Sequence, residues 1–162
     1  MARILVKRLK FDPIVRSFSK SQAFKRAARR ATNSQFNKAK NNLIQKFDSH
    51  PVTREIEGGV GASNSSGTLG GYGNLYTFIG FYKEENPIDI VRSAIRQYTT
   101  ISKGKFTANR NRAEANFIIK APTTEELASV TPMPWEGGSW LRSIERGISG
   151  FGYYMYKKWE EE

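Results

Sequence analysis

Apolar and charged residues alternate at the start of the chain, in "RILVKRLKF", where Ile4 and Val6 stand between Arg3 and Lys7. A period of two predicts a short strand, ended by Pro13. The period then lengthens to that of a helix. From Ser19 or Ser21 to Phe47 there is no proline or glycine, and Phe24, Ala27, Ala28 and Ala31 share one helical face. Farther on, Phe36, Ala39, Leu43 and Phe47 share a face turned by about 100° from the first. The apolar stripe shifts at Thr32–Gln35, so a bend or break is expected there.

Pro51 closes that helix, and "VTREIE" alternates Val52, Arg54 and Ile56 as a half-buried strand would. "NLYTFIGFY", residues 74 to 82, is rich in β-branched and aromatic residues and gives the strongest strand signal in the chain. "NPIDIVRSAIRQY" carries the marks of a helix. Asn86 is placed to cap it, Pro87 stands at its first position, Asp89 lies in the first turn, and Ile88, Val91, Ile95 and Tyr98 form one stripe. The segment from Thr99 to Pro122 reads as two strands joined by a long basic loop with Lys103, Lys105, Arg110 and Arg112. "TTEELASVTPMPWEGG" reads as a connector. Ser139 then caps a short helix with Trp140, Leu141 and Ile144 inward and Gly147 as its stop, and "FGYYMYKKW" reads as a last strand.

The order of elements is mixed, with no regular alternation of strands and helices. It predicts an α+β fold: a mostly antiparallel sheet, a long basic N-terminal helix and two shorter helices. With 162 residues the chain suits a single domain over 1–162. Residues 1–18 form an arm or strand, 58–73 a Gly/Ser-rich loop, and 158–162 an acidic tail.

Composition narrows the function classes. There is no cysteine, which excludes a disulfide framework and a Cys-based metal site. No apolar run approaches the roughly 20 residues that span a bilayer, and the N-terminus lacks the apolar core of a signal peptide. The net charge of +11 is unevenly spread: residues 1–47 hold 13 Lys or Arg against Asp12 alone, while the remainder is nearly neutral. Such a segment is drawn to nucleic acid or to an acidic protein surface, with an attraction that weakens in salt. Arg26, Arg29, Arg30 and Lys40 on the long helix, with Lys103, Lys105, Arg110 and Arg112, make the candidate basic face.

"GGVGASNSSGTLGGYG", residues 58 to 73, resembles a phosphate-binding loop only at first sight. No "GK[ST]" occurs, Asn64 stands where a dinucleotide fingerprint needs a small residue, and no helix is expected to open there. His50 is the chain's one histidine, placed at a helix end where it meets the last carbonyls, and alone it supports neither a triad nor a His-rich metal site. Glu55 and Glu57 share one side of the expected strand, but no acid pair converges. The expectation is no catalytic residue, no metal and no cofactor.

Two blocks carry a resemblance to a known family. "HPVTREIEGGVGASNSSGTLGGYGNLYTFIGF" is similar to the central region of tailed-bacteriophage neck and tail-completion proteins, and "WLRSIERGISGFGYYMY" to the segment near their end. In that family a long helix rich in Ala and basic residues precedes a glycine-rich segment, then "FIGF", then "NPID" opening a helix. The resemblance implies a non-enzymatic virion component at the head–tail junction, assembled in the host cytoplasm, with no membrane partner. It implies a ring of 6 or 12 copies around the DNA channel, contacting the connector or neck and the tail proteins, with the basic face meeting genomic DNA or an acidic partner. Gly58, Gly59, Gly61, Leu69, Gly70, Gly71 and Tyr72 would then form an assembly loop, flexible alone and anchored on a neighbour by Leu69 and Tyr72; a solvated linker is the alternative. The alternative function is non-specific nucleic-acid binding by the basic N-terminal third.

Overall fold

A computed structural model describes residues 11–70, 73–109, 112–135 and 137–146. The class is α+β, with small antiparallel sheets among the helices. The expected first strand lies outside the described residues, and Pro13 sits in the first turn of a helix, α1 (Phe11–Lys20), where its missing N–H costs nothing. Ser21 breaks the run and its Oγ accepts the Phe24 N–H at 3.2 Å, capping the long helix α2 (Gln22–Ser49).

No break separates the two halves of α2, which is one helix through Thr32–Gln35. With neither proline nor glycine there is no cause for a kink. The contacts of the chain fall into two compact units, one of residues through Ala39 with Thr100–Lys120, the other of Lys40–Thr99 with the residues from Ala121 on. The two ends of one helix thus serve different units, and the expected stripes are met only in part: Ala27, Ala31, Ala39 and Leu43 are exposed, while Ile44, outside them, is buried.

In the first unit, β1 (Thr100–Ile101) pairs antiparallel with β4 (Ile119–Lys120), and β2 (Lys105–Asn109) with β3 (Arg112–Asn116). The expected sheet is thus two separate two-stranded ladders, and the expected long basic loop is mostly strand. Thr107↔Glu114 and Asn109↔Arg112 set the β2–β3 register. α1 packs on this hairpin. A chain of rings runs through the unit: Phe18–Phe24 at 5.0 Å, Phe24–Phe106 at 6.0 Å and Phe106–Phe117 at 6.1 Å between centroids. Ser19 is the only fully buried residue described in it, and Phe18 and Ile118 keep 53% and 69% of their surface exposed. Among the described residues of this unit, ring contacts, two of the three edge-to-face, stand where a closed core would.

The second unit holds every buried apolar side chain among the described residues, including Ile56, Leu75, Tyr76, Ile79, Ile88, Val91 and Trp140. Both segments read as strands before and after the glycine stretch are helices here. Pro51–Glu57 forms α3, with Pro51 at its first position and Val52 and Ile56 one turn apart. Leu75–Ile79 forms α4. Asn74 caps it by accepting the Thr77 N–H at 3.0 Å, and Gly80 stops it in the left-handed region at φ 85°. A Cβ on Gly80 would stand 3.0 Å from the Trp135 ring, whose Nε1 donates to the Ile79 carbonyl at 2.6 Å. Strand propensity in "LYTFI" yields to a cap, a stop and burial of Leu75, Tyr76 and Ile79.

α5 (Pro87–Tyr98) follows the sequence reading in its bounds and in burying Ile88, Val91 and Ile95. The Asn86 side chain, however, makes no capping bond to the backbone and donates from Nδ2 to Asp89 at 2.6 Å instead. The expected connector contains another helix, α6 (Thr124–Ser129), opened by a reciprocal capping box between Thr123 and Glu126. α7 (Trp140–Arg146) begins as expected, since Ser139 Oγ accepts the Arg142 N–H at 3.2 Å. Its expected stop, Gly147, and the expected final strand lie outside the described residues. Helices beyond α2 therefore outnumber the two expected.

Arg92 on α5 ties this unit together. Its Nε donates to Asp48 of α2 at 2.8 Å, its Nη2 to Glu57 of α3 at 2.6 Å, and its Nη1 to Asp89 one turn back. The hydrogen bond to Asp48, then that to Glu57, raises the guanidinium pKa further above its ordinary value, so the charge is permanent. The Arg92 side chain is 16% exposed while its acids are 38–56% exposed, so water and salt screen part of the attraction. Arg92→Met, which keeps the stem and leaves three facing carboxylates, is expected to lower the unfolding free energy by about 2 kcal/mol. All three tryptophans lie in this unit, so urea denaturation followed by their fluorescence reads the loss. The surface control Lys83→Met should change it by less than about 0.5 kcal/mol.

Candidate functional site

Two features take up the residues singled out in the sequence, the glycine-rich loop and the basic face. The loop leaves α3 at Gly58, whose N–H returns to the Arg54 carbonyl at 3.0 Å. Gly59 and Gly61 lie in a single 3-10 turn, and Gly70 closes a later turn through its N–H to the Gly67 carbonyl at 3.4 Å. Gly71 and Tyr72 are outside the described residues. Leu69 is not a free anchor: it packs half-buried against the chain's own core.

The organiser of the loop is Glu55, which no reading of the sequence singled out as buried. The expected strand put Glu55 and Glu57 on one side; in α3 Glu55 turns inward with 1% exposure, while Glu57 meets Arg92 at the surface. Glu55 Oε2 accepts the Ser66 N–H and Oε1 accepts the Leu75 N–H, each at 2.8 Å. On the other side of the loop, Asn74 Nδ2 donates to the Val60 and Ala62 carbonyls at 3.0 and 2.9 Å. Two N–H groups and two carbonyls in and beside the loop are thus met by buried side chains of the chain itself. His50 lies between α2 and α3 as the residue before Pro51, with its N–H to the Phe47 carbonyl at 3.2 Å.

Arg26, Arg29 and Arg30 stand exposed on the part of α2 that belongs to the first unit. Lys105 and Arg112 open β2 and β3, and Lys103 occupies the turn between β1 and β2. Arg112 meets Glu114 at 3.6 Å with its side chain 77% exposed, a weak contact. Arg110 lies outside the described residues. Lys40 does not join this face. It falls in the other unit, where its Nζ donates to the carbonyls of Arg96 and Thr99 at 2.5 and 2.8 Å. Those are orphan carbonyls at the end of α5, and a cation there offsets the helix dipole.

The fold redraws the charge map. The first unit, a pairing of the N-terminus with residues 100–120, holds sixteen Lys or Arg against Asp12 and Glu114, a net of +14; the second carries −3. The segregation is sharper than any single cut of the sequence shows. At this charge density the unit carries a potential that concentrates polyanions at its surface and decays over about 10 Å at 0.1 M salt. Two of its cations are held by a ring: Lys25 Nζ at 6.0 Å and Arg29 Cζ at 5.5 Å from the Phe106 centroid. Lys25 and Phe106 were not among the candidates, and only their pairing in space gives them a role.

No family model, curated protein or solved structure matches the chain. Among the described residues, no helix is long and apolar enough to cross a membrane.

The Glu55 contacts predict a local outcome. Glu55→Ala strips the Ser66 and Leu75 N–H groups of their acceptor, and a loss of about 2–4 kcal/mol is expected. Amide hydrogen exchange should rise in 59–70 and at Leu75 while β2–β3 protection stays unchanged. Glu55→Gln, which keeps one acceptor oxygen, should fall between the two.

Proposed function

We propose that this chain is a structural, non-enzymatic subunit of a tailed-phage particle, assembling as a ring at the head–tail junction around the passage for DNA. The observation that supports this reading is the separation of roles between its units. One unit holds the apolar core and a near-neutral charge; the other gathers a net of +14 with almost no acid and, among its described residues, no buried apolar side chain. A subunit that must pack into a wall and also present one sign of charge to a polyanion needs that division. In this reading the 58–73 loop is a contact to a neighbouring copy, made rigid from within by Glu55 and Asn74, with Val60 at 56% exposure as its apolar tip. The neck and tail proteins are its other partners, and no cofactor or metal is assigned.

The same charge favours a second reading, a non-specific nucleic-acid-binding protein that acts outside any particle. Absolute quantitation by mass spectrometry in purified, DNA-filled particles separates the two. A ring gives a small fixed copy number, on the order of 6 or 12 per particle. Absence from particles, with the chain recovered on nucleic acid in lysate, overturns the ring and leaves the second reading.

A further inference from the structure

Within the basic unit one place is built differently from the rest of its surface. An open cleft of about 530 Å³ lies between α2 and the β1–β2 turn, with Arg29 and Asn33 on one wall and Ser102 and Lys103 on the other, above the Phe117 ring. Arg29 and Asn33 are four residues apart and so share one face of α2. Each wall is fixed from behind. The Arg29 guanidinium lies against Phe106, whose edge meets Phe117. The turn that carries Lys103 is fastened twice to the chain before β4: the Ser102 N–H donates to the Ile118 carbonyl at 2.9 Å, and Ser102 Oγ accepts the Ile118 N–H at 2.8 Å. Gly104 lets the turn close on the ring, since a Cβ there would stand 2.5 Å from Phe117 Cε1.

We propose that this cleft seats backbone phosphates of nucleic acid, with Arg29 and Lys103 as the paired cations and Asn33 and the Ser102 hydroxyl as neutral donors. The inference rests on the reading of the basic unit as a surface for a polyanion, and it names the polyanion and the place. Two cations flanked by an amide and a hydroxyl make the donor set that phosphodiester oxygens meet in protein complexes. Ser102 Oγ accepts from Ile118, which leaves its proton to donate outward. A guanidinium already resting on a ring loses little freedom on contact, and the fastened turn sets the backbone that carries Lys103. A long uniform polyanion also fits the sign of the whole unit better than an acidic protein does. A protein partner presents mixed charge and apolar surface, whereas sixteen cations against two acids repel any cation the partner brings. Backbone phosphates are the same in every sequence, so a contact confined to them is blind to sequence.

The test is fluorescence anisotropy of the full chain with a labelled duplex, repeated over a salt series. Two unrelated sequences should bind alike. Arg29→Gln with Lys103→Gln should weaken binding about tenfold at low salt and lower the slope of log K against log salt by about 2. The pair Lys105→Gln with Arg112→Gln removes equal charge from the hairpin and should change the slope by clearly less. Gly104→Ala keeps every charge, crowds Phe117, and should also weaken binding; circular dichroism verifies that each variant is folded. Equal losses from the two pairs overturn the cleft, because they mean binding by net charge alone. Tighter binding to poly-glutamate than to duplex overturns the choice of nucleic acid. Neither result touches the copy number in particles, so the ring stands or falls separately.

Discussion

A carboxyl group with 1% exposure cannot stay buried unless donors meet it, and Glu55 is met by two backbone N–H groups from separate parts of the chain. One comes from Ser66 in mid-loop and the other from Leu75, the first residue of α4. The requirement runs both ways. A sixteen-residue stretch with seven glycines has many conformations to lose, and a single inward carboxyl group fixes it at its middle and its end. With α4 placed, Leu75, Tyr76 and Ile79 become the centre of the core, and Trp135 reaches the Ile79 carbonyl past Gly80. Most of the second unit is organised around that contact.

The second unit also settles its charges among its own groups. Arg92 gathers acids from three helices, and Lys40 meets the open end of α5. Both cations are thereby committed to holding the fold. The first unit does the reverse: Lys25 and Arg29 rest on a phenyl ring, which orders a cation without neutralising it. Charge is consumed in one unit and displayed in the other. That contrast is the physical basis for assigning contact with a polyanion to one unit and packing to the other.

Helical segments with long or well-marked patterns were legible from the sequence. α2 shows a long run without proline or glycine, and α5 its proline and acidic first turn. Short segments were not. Val52, Arg54 and Ile56 alternate as a strand would, yet Val52 and Ile56 also sit one helical turn apart, and seven residues are too few to choose between the two periods. In "NLYTFIG" the deciding signals were the flanking Asn and Gly, with five residues between them, which outweigh the β-branched and aromatic content they enclose. Arg26, Arg29 and Arg30 were visible as cations on one helix. What set Arg29 apart is Phe106, nearly eighty residues on, and no local pattern carries that pairing. Lys40 looked like its basic neighbours because a lysine that caps a distant helix has the same local context as one facing water.

The discontinuous make-up of the basic unit bears on how such a surface can work. Residues 100–120 return to the N-terminal segment after the whole first part of the other unit has been laid down, so the cleft forms only when two distant stretches come together. Its walls share no sequence neighbours: Arg29 and Asn33 come from one stretch, Ser102 and Lys103 from the other. The unit's described residues show ring contacts at 5–6 Å and no buried apolar side chain, so they set little apolar burial against the mutual repulsion of its sixteen cations. A bound polyanion relieves that repulsion and adds to the stability of whatever conformation it binds. Among the described residues the second unit holds the apolar core, and the basic unit is the one whose conformation a bound polyanion would favour more.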